Sequence, residues 1–138
     1  MNGMQLNEVF ALVTDAAGCG QLVEEMKRFA NRPDVKAICQ LNFSNVDWGV
    51  GEGWPEGYKG DACPEGLQEL TISGEARRIN TVFGRPDITP KRKTELLIDM
   101  LEGMHHAEAE IVIFAKDHAL QELYPAISEQ LCKDAGIL

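Results

Sequence analysis

Thr89 to His118 reads TPKRKTELLIDMLEGMHHAEAEIVIFAKDH, and the fold class turns on how this stretch is punctuated. Thr89-Pro90 is a helix start: threonine can cap the first free N–H groups, and proline suits the first turn because its missing N–H has no partner there. Leu96, Leu97, Met100 and Leu101 then recur at helical spacing, and Gly103 is a stop. Ala109, Ile111, Val112, Ile113 and Phe114 form a second apolar run. His105 or His106 opens that helix. Glu108 and Glu110 fall in its first turns, where carboxylates suit the positive dipole end. Helix, stop and helix follow one another with no alternating strand pattern.

The same grammar extends outward in both directions. Leu6, Val9, Phe10 and Val13 predict a helix ending near Ala17-Gly18, and Leu22, Val23, Met26 and Phe29 a second. Pro33-Asp34 starts a third, with Val35, Ile38, Cys39 and Asn42 on one face. Leu67, Leu70, Ile79, Val82 and Phe83 support a helix up to Gly84, with a break or bend at Gly74. Pro125 interrupts before a last short helix around Ile127 and Leu131. No internal repeat is visible. The prediction is an all-α protein of about six to eight helices, one domain over 1–138.

Residues 44–66 break the pattern. NVDWGVGEGWPEGYKGDACPEG holds both tryptophans, Tyr58, and many glycines and prolines, so it reads as a long loop. Trp48 and Trp54 would gain by lying on the helical core, which predicts an ordered loop. Ordered long loops often carry function, and Trp48, Trp54 and Tyr58 are the candidate partner-binding residues.

Composition bounds the rest. With 44% apolar and 25% charged residues the chain is an ordinary globular protein. No apolar run is long enough for a membrane span, and MNGMQLNEVF has no signal-peptide pattern, so the chain reads as intracellular. Cys19, Cys39, Cys63 and Cys132 form no C-x-x-C pair and are expected as free thiols, with no zinc. The net charge is −9, and it is uneven. Residues 67–94 set six bases (Arg77, Arg78, Arg85, Lys91, Arg92, Lys93) against three acids, whereas 95–138 set two bases against nine acids. Overall acidity argues against indiscriminate phosphate binding, although the six bases could form a local patch.

Catalytic motifs are weak. His106 and Glu110 supply two metal ligands where a stable site needs three or four, and H-E-x-x-H is absent. The histidines read as helix punctuation. GVGEG at 49–53 looks like a phosphate loop but lacks its strand, lysine and hydroxyl, and Glu52 would repel phosphate. Lys59 and Asp61 nearly complete an adenylation motif, with Ala62 in place of its glycine, and no catalytic domain accompanies them. The expectation is a non-enzyme without metal or cofactor.

Two resemblances add to this. LNFSNVDWGVGEGWPEGYKGDACPEGLQEL and KRKTELLIDMLEGMHHAEAEIVIFAKDHALQELYPAISEQLCKDAGIL resemble a family of small proteins from large T-even-like tailed phages. The shared pattern falls on Asn45 to Trp48, Asp61 to Gly66, Leu101 to His105, Glu108 to Glu110 and Lys116-Asp117. Cys63 and Met104 depart from it. The similarity spans nearly the whole chain and implies a phage origin, in the host cytoplasm or the virion, without bringing an activity. The helix order, LNFSNVDWGV and the ending DAGIL also resemble, more faintly, the all-helical N-terminal DNA-binding domain of ATP-dependent DNA ligases. That likeness implies phosphate contacts by Arg77, Arg78, Arg85, Lys91, Arg92 and Lys93. The first expectation is a non-catalytic accessory protein that binds a protein of the replication or host-takeover machinery. The alternatives are a stand-alone ligase-like nucleic-acid-binding domain and a virion structural component.

Overall fold

The computed structural model describes residues 6–17, 20–44, 48–51, 53–55, 57–58, 70–81, 85, 87–104 and 106–138. The protein is all-α. Eight helices lie among the described residues: α1 (Leu6–Ala17), α2 (Leu22–Arg28), α3 (Pro33–Asn42), α4 (Ile72–Thr81), α5 (Pro90–Glu102), α6 (His106–Lys116), α7 (Leu120–Leu123) and α8 (Glu129–Asp134).

The predicted start signals act as expected. The Thr89 hydroxyl accepts from Arg92 N, with Pro90 in the first turn of α5. Ser128 caps α8 in the same way, accepting from Leu131 N at 3.1 Å. α3 begins at Pro33, and the buried Asp34 carboxylate accepts from Val35 N at 2.8 Å. Arg32 grips the same carboxylate with Nε at 2.9 Å and Nη2 at 2.6 Å. This two-pronged bond neutralises a charge that burial would otherwise penalise.

α6 is the centre. Ala109, Ile111, Val112, Ile113 and Ala115 are all buried, while Glu110 and Phe114 on the remaining side are half-buried, so neighbours cover most of the helix circumference. It packs on α1, α3, α5 and α7, while α3 also lies along α4, and α2 joins α1 and α8. Phe10, Met26, Ile38, Leu97, Met100 and Leu101 complete one shared core, and the Phe10 ring meets the Tyr124 ring edge-on at 5.2 Å. Cys39 and Cys132 are free thiols buried in this core, one on α3 and the other on α8. Cys19 and Cys63 lie outside the described residues.

The expected helix through Leu70 is corrected. Leu70 is not helical; it forms an isolated parallel bridge with Met104, and its N–H donates to Gly103 O at 2.8 Å. Its side chain packs on the bare face of Gly103, where an added Cβ would lie 2.7 Å from Leu70 Cδ1. α4 therefore starts at Ile72, capped by Thr71, whose hydroxyl accepts from Gly74 N at 3.0 Å. Gly74 occupies the first turn rather than a break. Leu67, Val82 and Phe83 lie outside the described residues.

Candidate functional site

The aromatic loop is fastened to α6 by two adjacent charged side chains. Lys116 Nζ donates to Gly51 O at 2.7 Å and to Asp117 Oδ1 at 2.6 Å. Asp117 Oδ2 in turn accepts from Gly53 N at 2.7 Å. The Lys116 side chain is only 3% exposed, so its ammonium works in a shielded setting where charge-assisted bonds are strong. Gly49, Gly51, Gly53 and Gly57 all take positive φ, between 70° and 97°, which explains why the loop is spaced by glycine.

From this anchor the chain runs back along α6 toward its N-terminal end. The Trp54 ring stacks on Tyr58 (centroids 4.7 Å, planes at 18°) and on His106 (5.3 Å, 5°). Trp54 is 37% exposed, one of the three most exposed large apolar side chains among the described residues. Trp48, by contrast, is 2% exposed and belongs to the core. That corrects one candidate contact residue: Trp48 anchors the loop from within and offers no surface, because its indole gains more from core burial than the loop could gain by presenting it. Trp54 and Tyr58 keep accessible area.

Beside Trp54 lies a half-open groove of about 400 Å³. Its apolar walls come from Trp54, Ile113 and Phe114, and its rim carries the Asp117 and Glu122 carboxylates. Ala119 closes the end where α6 stops. That stop is a tight left-handed turn: Ala119 N donates to Phe114 O at 2.8 Å and His118 N to Ala115 O at 3.0 Å, with His118 at φ 59°. The His118 ring lies 3.0 Å from Asn42 O through Nδ1. A carbonyl can only accept, so Nδ1 carries the proton. Asn42 is buried and its Oδ1 accepts from Leu120 N at 3.0 Å, capping α7. His106 stands first in α6, and His105 lies outside the described residues. Among the described residues no three His, Cys, Asp or Glu side chains gather to hold a metal ion.

The six bases fare unequally. Arg78 pairs with Glu75 at 2.6 Å, Arg85 with Asp87 at 2.6 Å, and Arg92 with Glu95 at 3.1 Å. Lys93 is buried in α5, which removes it as a phosphate contact. Arg77 and Lys91 are exposed without a salt bridge among the described residues. Three guanidinium groups already sharing charge with carboxylates make a poor counter-surface for a polyanion.

Glu108 was expected to serve its own helix, and it does something else. Its side chain is 1% exposed and reaches two other helices: Oε2 accepts from Leu6 N at 2.8 Å and Oε1 from Ile72 N at 3.1 Å. One carboxylate thus caps the first residues of both α1 and α4. Burial pushes its pKa above the ordinary carboxylate value, while the two N–H bonds pull the other way; Asp34 adds to the rise and Arg32 opposes it.

No family model, curated protein or solved structure matches this chain. Among the described residues no helix is long and apolar enough to cross a membrane.

Proposed function

We propose that the chain works by binding a protein partner through the α6-anchored loop, as an accessory protein of phage replication or host takeover. The phage setting comes from the sequence resemblance alone. The contact surface is drawn from geometry: Trp54 is a large, accessible aromatic on a segment held by Lys116 and Asp117, and stacked on Tyr58 and His106. A tryptophan fixed before the partner arrives loses little freedom on binding, and such aromatics tend to carry most of an interface's energy. The exposed indole on its fixed support is the observation that carries this reading.

The test compares immobilised wild-type chain and Trp54→Ala for capture from a lysate of phage-infected cells, with circular dichroism confirming the same helix content. The expected outcome is a partner whose recovery falls at least about tenfold in the variant, the scale of a hot-spot tryptophan. Equal recovery by both proteins would place the contact elsewhere.

A further inference from the structure

We infer that the groove beside Trp54 receives a single basic side chain, arginine or lysine, presented by the partner protein. The inference deepens the partner-binding reading above and rests on it. Three features of the groove converge on a cation. Its walls include Phe114 and Trp54, the latter already stacked on Tyr58 and His106, and the face of an aromatic ring such as Phe114 attracts a guanidinium or ammonium within about 6 Å of its centre. Its rim carries Asp117 and Glu122. It opens at the C-terminal end of α6, an 11-residue helix whose dipole is negative there.

Charge bookkeeping assigns the leading role to Glu122. Asp117 is already shared between Gly53 N and the Lys116 ammonium. Lys116 does not itself line the groove, but its ammonium, bonded to Gly51 O and Asp117 Oδ1, already offsets the Asp117 charge. Glu122 is exposed and has no salt bridge among the described residues, so it retains a full charge for an incoming cation. The surrounding segment 95–138, with nine acids and two bases, adds a broad negative field that draws a basic partner toward the site. A volume of about 400 Å³ accommodates a whole arginine side chain, and the half-open mouth lets it enter from a neighbouring chain. An uncharged apolar anchor would desolvate the Glu122 carboxylate with nothing to offset it.

The experiment titrates the full ¹⁵N-labelled chain with capped tripeptides, N-acetyl-Gly-Arg-Gly-amide and its lysine and citrulline counterparts, following amide and indole resonances. Citrulline keeps the shape of arginine but puts a carbonyl oxygen in place of one NH2 group, so it loses the charge and two of the five N–H donors. The arginine peptide is expected to shift the Trp54 indole and the Gly53 and Ala119 amides, with a dissociation constant on the order of 1–10 mM for so small a probe. The citrulline peptide should bind at least about tenfold more weakly, and Glu122→Gln should weaken the arginine peptide by about the same factor. Glu122 is exposed, so this variant keeps its fold. Equal binding of citrulline, no shift with any peptide, or an unchanged Glu122→Gln would each overturn the inference. If no peptide binds while Trp54→Ala still loses its partner, the surface stands and the cation pocket falls. If the arginine peptide binds while Trp54→Ala keeps its partner, the partner reading itself fails, and the inference with it.

Discussion

The two ends of α6 use charged side chains in opposite ways. At the N-terminal end Glu108 is sealed in the core, and each of its oxygens closes the start of another helix. At the C-terminal end Asp117 keeps about a fifth of its side chain in water, and with Lys116 it holds a loop instead of a helix. The first arrangement ties distant parts of the core together; the second positions a surface. The difference teaches that a charge's burial alone does not tell its role. What it holds does: removing Glu108 should cost the fold, and removing Lys116 should cost mainly the loop.

The sharpest way to break this contrast is Glu108→Ala. It strands two buried N–H groups, each costing about 1–3 kcal/mol when left without an acceptor, so denaturant titration should show a loss of about 3–5 kcal/mol. A loss under about 1 kcal/mol would mean that water replaces the carboxylate and that the junction is no keystone. Glu108→Gln should fall between, because an amide offers one accepting oxygen where two are used. It should also remove a pH dependence. Glu108 holds its proton to higher pH in the folded state than in the unfolded chain, because burial disfavours the charge. The folded state therefore binds more protons as pH rises through and just above the ordinary carboxylate range. Stability from this group is full below that range and is lost as pH rises through the raised folded pKa. Wild type minus Glu108→Gln, measured across pH 4–8, should show that slope; two parallel curves would refute it.

At the other end, Lys116→Met should cost about 1–2 kcal/mol, since Asp117 keeps the Gly53 N–H and can turn to water. The larger effect should be local: the Gly53 amide should lose hydrogen-exchange protection and Trp54 should become easier to quench, with the α1 and α4 amides unchanged. Loss of protection throughout the core would show that the anchor supports the fold after all, and the contrast would dissolve.

The sequence carried the helix grammar because capping and stopping are local events. Thr89-Pro90, Pro33 and Gly103 act within a few residues of where they are written. Glu108 and Lys116 act over long separations, on Leu6 102 residues away and on Gly51 65 residues away, and no local rule reaches so far. One signal was present. In AEAEIVIFAKD the apolar run leaves only a narrow side for solvent, taken by Glu110 and Phe114, so Glu108 and Lys116, which lie off that side, must find buried partners. Trp48 and Trp54 could not be told apart by composition; only the anchor points at Gly51 and Gly53 decide which indole faces inward. Leu70 was misread because its apolar spacing fits a helix, whereas Gly103 leaves a gap that an extended residue fills better.

The smallest expected effect concerns the turn that ends α6, and it asks how much the left-handed conformation costs. α8 ends in the same turn: Ile137 N donates to Cys132 O at 2.8 Å, with Gly136 at φ 83°. An added Cβ at Gly136 meets nothing within 4 Å, so Gly136→Ala isolates the backbone penalty, about 1 kcal/mol. His118 bears that penalty in the native chain and recovers part of it through the Nδ1 bond to Asn42 O. A neutral hydrogen bond contributes about 0.5–1.5 kcal/mol, so His118→Gly exchanges two nearly equal terms and should change stability by less than about 0.5 kcal/mol. His118→Ala keeps the strained backbone and loses the bond, and should cost about 0.5–1.5 kcal/mol. If His118→Gly instead stabilised by the full amount that Gly136→Ala costs, the Asn42 bond would contribute nothing. The groove end of α6 would then be held by Lys116 and Asp117 alone.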